Sequence, residues 1–366
     1  MRRRRRRARR SSDIPSSPDI LQIVRAISKL PAPGLIVILS GGGSAPFFVH
    51  APRKLVMVSV LSSVIAALLT WFAIYRAALP RVRDAVTYEV ILGKEHGDAS
   101  LPPVFAHRGA GHDAPENTLA AIRQAKDNNA FGIEFDLSFT NDSVAVLFHD
   151  ETLDRTTDGV GALAAISFED VRRLDAASKH PLANRYRGER VPTLEEGVEE
   201  CLRLGLRIIV DVKQADGRAI AILDELFRRR PVLYRRALVA SSYPQFIYAL
   251  RKHNRDIVTA LTWRPGLFTF EDIENRRPRY KSIFKHCVSM AADWILERAL
   301  HYGLLPQLTG VSALLISTNA LSVDYVRAWH DRGIHVIAWT SNDPAEKEFL
   351  RKVLRVPVIT DSLLEA

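Results

Sequence analysis

Residues 132–138 read Gly132-Ile133-Glu134-Phe135-Asp136-Leu137-Ser138, and the fold follows from how this run is disposed. Its apolar and acidic residues alternate, which predicts a strand with side chains on two opposite faces. Ile133, Phe135 and Leu137 share one face; Glu134 and Asp136 share the other. Two neighbouring carboxylates turned into a barrel interior repel each other and resist desolvation unless a cation neutralises them. The competing reading is a pair of solvent-facing acids on a half-exposed strand.

Outward from this run, further β-rich segments are expected at 104–107, 206–212, 236–240, 257–261, 312–316, 334–338 and 357–360. Amphipathic helical patterns follow at 117–128, 194–204, 216–229, 244–252, 321–332 and 343–354. Eight strands alternating with helices predict an α/β fold, a (β/α)8 TIM barrel over 101–366. A doubly wound sheet is the runner-up. A short pair at 144–149 and an inserted lobe at 150–192 interrupt the pattern after strand two.

Barrel enzymes place their chemistry where strands end at the carboxyl side, and the candidate residues fall there. His107 ends the first strand and is followed by Arg108; His149 lies beyond the second. Two imidazoles can exchange protons near neutral pH, and a guanidinium offers a planar fork to phosphate oxygens, unless Arg108 pairs with an acid such as Glu116. In the third strand, Asp211 and Lys213 repeat the two-residue spacing. Asp211 fits a third oxygen ligand beside Glu134 and Asp136, and Lys213 a phosphate contact; a simple Asp–Lys ion pair is the alternative. An all-oxygen carboxylate set suits Mg²⁺ or Ca²⁺ rather than Zn²⁺. The whole set is suited to cleaving a phosphodiester. Asn117 is read equally as a helix cap or a ligand contact, and Asp150, Asp154, Arg155 and Asp158 as loop organisers.

The net charge of +10 suggests nucleic acid until it is located. Arg2–Arg7, Arg9 and Arg10 carry eight of those charges, and no basic, aromatic-interleaved stripe follows, so nucleic acid is not an expected partner. Residues 1–54 are expected as an Arg-rich, largely disordered cytosolic tail. Leu55–Tyr75 is an uncharged run of 21 residues, spanning roughly 31 Å as a helix, enough to cross a bilayer. More cations precede this anchor than follow it. That bias keeps the N-terminus cytosolic and puts the barrel in a lumen or outside the cell, with 76–100 as a linker. The stretch Leu30–Val49 is too interrupted by glycine and proline for a second span. The segment Phe284–Ser317 is apolar but interrupted by Asp293, Glu297, Arg298 and His301, which favours an amphipathic helix lying on a membrane or lining an acyl-chain entrance near the barrel mouth; an ordinary barrel helix is the alternative. Two cysteines are too few for a disulfide framework, and Cys201 shares a helical face with Leu194 and Val198, as a buried thiol would.

The joined motifs His107-Arg108-Gly109, Pro115-Glu116-Asn117-Thr118, Ile133–Asp136 and His149–Gly159 resemble the signature of the glycerophosphodiester phosphodiesterases. Val210–Lys213, Ala338–Asn342 and Ile359-Thr360-Asp361 extend the resemblance through residue 361, and the runs around His107 and Thr259–Pro265 are similar to membrane-anchored animal members. The resemblance implies hydrolysis of a small or lipid-like glycerophosphodiester to glycerol 3-phosphate and an alcohol. It puts His107 and His149 at the catalytic positions, Glu134, Asp136 and Asp211 at the metal positions, and Arg108 and Lys213 at phosphate-contacting ones. It further implies Mg²⁺, with glycerophosphoinositol and glycerophospho-N-acylethanolamines as substrates. The chain departs from the family where Asp211 replaces a frequent glutamate and where Ser143 replaces a turn glycine. Two other readings are a lysophospholipase D and a non-catalytic membrane adaptor for a signalling partner.

Overall fold

A computed structural model describes residues 53–93, 100–272 and 275–364. The Arg-rich tail and the Leu30–Val49 stretch lie outside these residues. Among the described residues nine strands form: β1 Val104–His107, β2 Gly132–Phe139, β3 Ala145–Leu147, β4 Arg207–Val212, β5 Ala237–Ser241, β6 Val258–Trp263, β7 Ala313–Ser317, β8 His335–Trp339 and β9 Val358–Thr360. All except β3 pair in parallel, and β1 bonds to both β2 and β9, which closes an eight-stranded barrel. The doubly wound alternative is thereby excluded. Antiparallel β3 pairs Leu147 with Leu137 on β2 and leads into the lobe.

Interior and exterior faces separate as the alternation in β2 predicted. Phe105, Ile209, Leu238, Ala260, Leu315 and Ile337 fill the lumen below the polar layer. Ile133, Phe135 and Leu137 point outward to the helices, with Ile122, Val198 and Leu223 in the same core. The lobe has its own small core around Phe148, Leu153, Leu163 and Val171. Within 76–100, expected as a linker, Asp84–Leu92 is a helix whose Val90 and Ile91 join the lumen cluster and close the barrel floor. Those two apolar residues had nothing to bury against until the barrel existed, so their local pattern carried no signal.

The chain clusters into two compact units, Met1–Ala73 and Ile74–Ala366. In the first lies most of helix Arg53–Ala77, of which Met57–Ala77 is long and apolar enough to cross a membrane. Its length extends two residues past the predicted run at each end.

Helices Leu119–Asp127 and Leu194–Arg203 are bridged by Glu200, which accepts from Arg123 Nε at 2.5 Å and Arg203 Nε at 2.8 Å. Hydrogen bonds and charge from the two arginines, against a smaller burial effect, hold the Glu200 carboxyl down at about 2. A folded value below the unfolded one of about 4.3 means that the stabilisation is present above pH 4.3 and fades as pH falls towards 2. Both arginines are more than half exposed, so screening limits the contribution to about 1–2 kcal/mol. Glu200→Gln is expected to remove that much stability in urea melts at pH 7 and only about a quarter as much at pH 2.5.

Candidate active site

The mouth of the barrel begins with an unusual turn. Arg108, Gly109 and Ala110 follow β1 with φ of +55°, +86° and +66°, and Asn117 closes the loop at +58°. Only glycine tolerates this region freely, so three side-chain-bearing residues here store strain that the surroundings must hold. A Cβ on Gly109 would come within 2.6 Å of the Ala121 Cβ, so glycine is required twice over at that position. The strain has a use: it turns the Arg108 N–H onto Glu134 Oε2 at 3.1 Å. It also brings the guanidinium within 3.0 Å of Glu116 and 3.3 Å of Asp136.

Glu134, Asp136 and Asp211 are buried with one carboxylate oxygen each inside a 4.8 Å group, and they could hold a metal ion. Register explains the meeting, because β2 and β4 pair Asp136 directly with Asp211. Lys213 Nζ lies 2.8 Å from Asp136 Oδ1 and 2.5 Å from Asp211 Oδ2. The Asp–Lys ion pair weighed from sequence is therefore real, and Lys213 binds two acids rather than one. Burial, together with the charge of Asp136, pushes the Glu134 carboxyl up to about 7. Asp136 moves the opposite way despite its burial, because Lys213, Arg108 and both histidines favour its anion. Three buried acids beside one ammonium and one guanidinium leave a donor set with an excess of negative charge, which fits a hard divalent cation.

His107 reaches across to the last strand. One residue past the Ala106–Thr360 pair, its Nδ1 lies 2.5 Å from Asp361 Oδ1, while Nε2 is 3.8 Å from Glu134. Although burial opposes it, the His107 pKa is raised, by Glu134 first and then by Asp361. Asp361, despite burial, is held at about 2 by the His107 hydrogen bond and charge, and Asn342 Nδ2 donates to it at 2.8 Å. An ionised carboxylate can only accept, so Nδ1 carries the proton and Nε2 is left for chemistry. His149 is held alike, its Nδ1 2.6 Å from Asp150 Oδ1. Arg155 clamps Asp150 and Glu116 together, with bonds of 2.7 Å to each.

Asp361 was missed in the sequence as a site residue; an acid directly after the apolar Val358-Ile359-Thr360 run was the available signal. Asn117 is not the cap: its Nδ2 donates to Asp136 Oδ2 at 2.8 Å, and Thr118 caps the helix. Asp361→Asn is expected to lower kcat about 10²–10³-fold by freeing the imidazole to turn or change tautomer. The altered pH–rate profile distinguishes that from a stability defect.

A model of the glycerophosphoryl diester phosphodiesterase family matches residues 107–365. The chain belongs to that family. Like other glycerophosphodiester phosphodiesterases, it is a phosphoric diester hydrolase. Glycerophosphodiester phosphodiesterase 1 of Mus musculus is 45% identical over 261 residues, covering 71% of this chain and 78% of that one. The Homo sapiens protein of the same name is 43% identical over the same shares. A phosphodiesterase of Oleispira antarctica, solved with sn-glycerol-3-phosphate, has a TM-score of 0.55 at 24% identity over 71% of this chain and 93% of that one. That likeness concerns the fold.

Proposed function

We propose that this enzyme hydrolyses glycerophosphodiesters, glycerophosphoinositol and glycerophospho-N-acylethanolamines among them, to glycerol 3-phosphate and an alcohol by paired-histidine acid–base catalysis. The observation that carries this is the matched pair of imidazoles, each fixed through Nδ1 by a carboxylate beside a buried triple-acid cluster. Glu134, Asp136 and Asp211 would hold Mg²⁺, with Ca²⁺ as the competing ion. Bound there, the ion supplies Lewis-acid neutralisation of phosphate charge. Arg108 and Lys213 flank Asp136 and bind the phosphate oxygens.

One histidine takes the proton of the attacking hydroxyl as the new P–O bond forms. The other gives its proton to the departing alcohol oxygen as the old bond breaks. The attacking group is either water or the 2-hydroxyl of the glycerol. In the second case a cyclic phosphate results, and water opens it with the two histidines exchanging roles. Incubation with glycerophosphoinositol and Mg²⁺ tests the reading: stoichiometric glycerol 3-phosphate is expected, and release of phosphoinositol instead would sink it.

The alcohol side of the substrate meets a cavity of about 440 Å³ between the β1 loop and the lobe, lined by His112, Arg155, Lys179 and His180. Hydrogen-bonding walls with Lys179 among them favour a polyhydroxylated or anionic alcohol. Lys179→Ala is expected to lower kcat/KM about tenfold for glycerophosphoinositol and to spare glycerophosphocholine. A lysophospholipase D activity is the second reading, favoured by the apolar surface described below; lysophosphatidic acid from lysophosphatidylcholine would establish it. Met57–Ala77 would anchor the enzyme with its N-terminus cytosolic and the barrel lumenal or extracellular, which protease protection of intact vesicles tests.

A further inference from the structure

Helix Ile283–His301 packs little of its apolar surface onto the barrel. Helix Gly217–Arg229 buries Ala219, Leu223, Leu226 and Phe227, whereas the 19 residues from Ile283 bury only Ser289 and Leu300. Ile283, Phe284, Val288, Met290, Trp294 and Ile295 are exposed, at 83% for Ile283, 76% for Phe284 and 61% for Trp294. At 100° per residue these six, with exposed Cys287 and Ala291, fall in one arc of roughly 160°. A contiguous apolar surface of this kind marks an interaction site. Asp293, which seemed from sequence to break the apolar run, is turned inward. It accepts from the Phe268 and Thr269 backbone N–H groups at 2.9 Å and from Thr269 Oγ1 at 2.6 Å, tying down the loop after β6.

We propose that this face docks on the surface of a lipid bilayer, with the helix lying in the interface and its N-terminal end beside the barrel mouth. Two observations choose a membrane over another protein. Exposed Arg276, Arg277, Arg279, Lys281 and Lys285 gather at the mouth end of the arc, and Arg298 lies over the Trp294 ring, while Glu297 stands at the arc's edge. Cations around an apolar stripe complement anionic headgroups and keep their charges in water as the stripe enters the acyl boundary. The second is tethering. Within the barrel unit, which begins at Ile74, Ala77 O accepts from Tyr248 Oη at 3.1 Å, and Leu79 N donates to Leu308 O at 3.1 Å. Leu308 belongs to helix Leu304–Thr309, which follows the apolar helix directly. The chain that follows the candidate span therefore enters the barrel unit on the same side as the apolar helix.

Docked in this way, the site opens where a glycerophosphodiester with an acylated alcohol resides. This rests on the proposed hydrolase and its anchor, and the test separates all three. Cys287 lies in the arc and Cys201 is buried, its thiol pushed up by that burial, so one thiol takes a polarity-sensitive fluorophore. The full chain carrying this label is reconstituted into vesicles containing anionic phospholipid. Quenching by bilayer-borne nitroxide lipid and shielding from aqueous iodide are expected. Phe284→Ser with Trp294→Ser should reverse both and lower kcat/KM on a bilayer-resident acylated substrate about tenfold or more, leaving water-soluble glycerophosphoinositol within about twofold. Iodide quenching without nitroxide quenching overturns the proposal, as do equal losses on both substrates. Shielding that persists in lipid-free detergent also overturns it, by showing a second copy on this face. Resistance to alkaline extraction reports on the anchor alone, and glycerol 3-phosphate release from the soluble substrate on the hydrolase alone.

Discussion

Replacing His107 with alanine is expected to lower kcat for glycerol 3-phosphate release about 10³-fold or more, with a melting temperature close to that of the unaltered enzyme. General acid–base help is worth about 10²–10⁴-fold, and this imidazole also carries the charge that faces Glu134 from 3.8 Å. The fold survives because Asp361 keeps Asn342, whose Nδ2 donates at 2.8 Å. His149→Ala should cost a comparable factor, and the double variant little more than either single one, since the two act on one proton inventory. Single-turnover kinetics on purified variants, alongside circular dichroism melts, measures both halves of this expectation. Either variant keeping a tenth of the activity would remove that histidine from the reaction.

The second large effect concerns the acids. Dialysis against a chelator is expected to take turnover to background, and Mg²⁺ to restore it. Saturating the cluster at about 100 times Kd adds about 2.7 kcal/mol of stability, roughly 5 °C in the melting temperature of a domain this size. The physical reason is like-charge crowding: Glu134 is driven up to about 7 by burial and by Asp136, a cost that a cation relieves. Asp211→Asn should abolish both the activity and most of the thermal shift, while Lys213 retains Asp136 at 2.8 Å and preserves the fold. A melting curve indifferent to Mg²⁺ and Ca²⁺ alike would remove the metal from the proposal.

Much of the site was legible because its residues lie on strands, where alternation is strict. Glu134 with Asp136, and Asp211 with Lys213, could be assigned to one face from spacing alone, and β2 and β4 do point them inward. His107 and His149 were legible as strand-end residues. The partners that hold them were harder to see. Asp361 lies 254 residues from His107 and meets it only because the barrel closes, β1 pairing with β9. Arg155 joins Glu116 across 39 residues through the lobe. Asn117 was read equally as a cap or a ligand contact, and its actual bond to Asp136 depends on a left-handed turn that no residue-type preference announces.

By itself, the sequence determined the alternation of strands and helices, the barrel, the inward acids, the two imidazoles and the apolar run of Leu55–Tyr75. Each of these depends on periodicity or residue chemistry within about ten positions, the range over which backbone geometry dictates which side chains share a face. The tertiary structure alone decided what lies across the closed sheet: the Asp361 hold on His107, the plugging of the floor by Val90 and Ile91, and the inward turn of Asp293 that leaves an apolar helix face in solvent. Those contacts depend on elements far apart in the chain, and local pattern has no energy term for a neighbour that only closure of the barrel supplies.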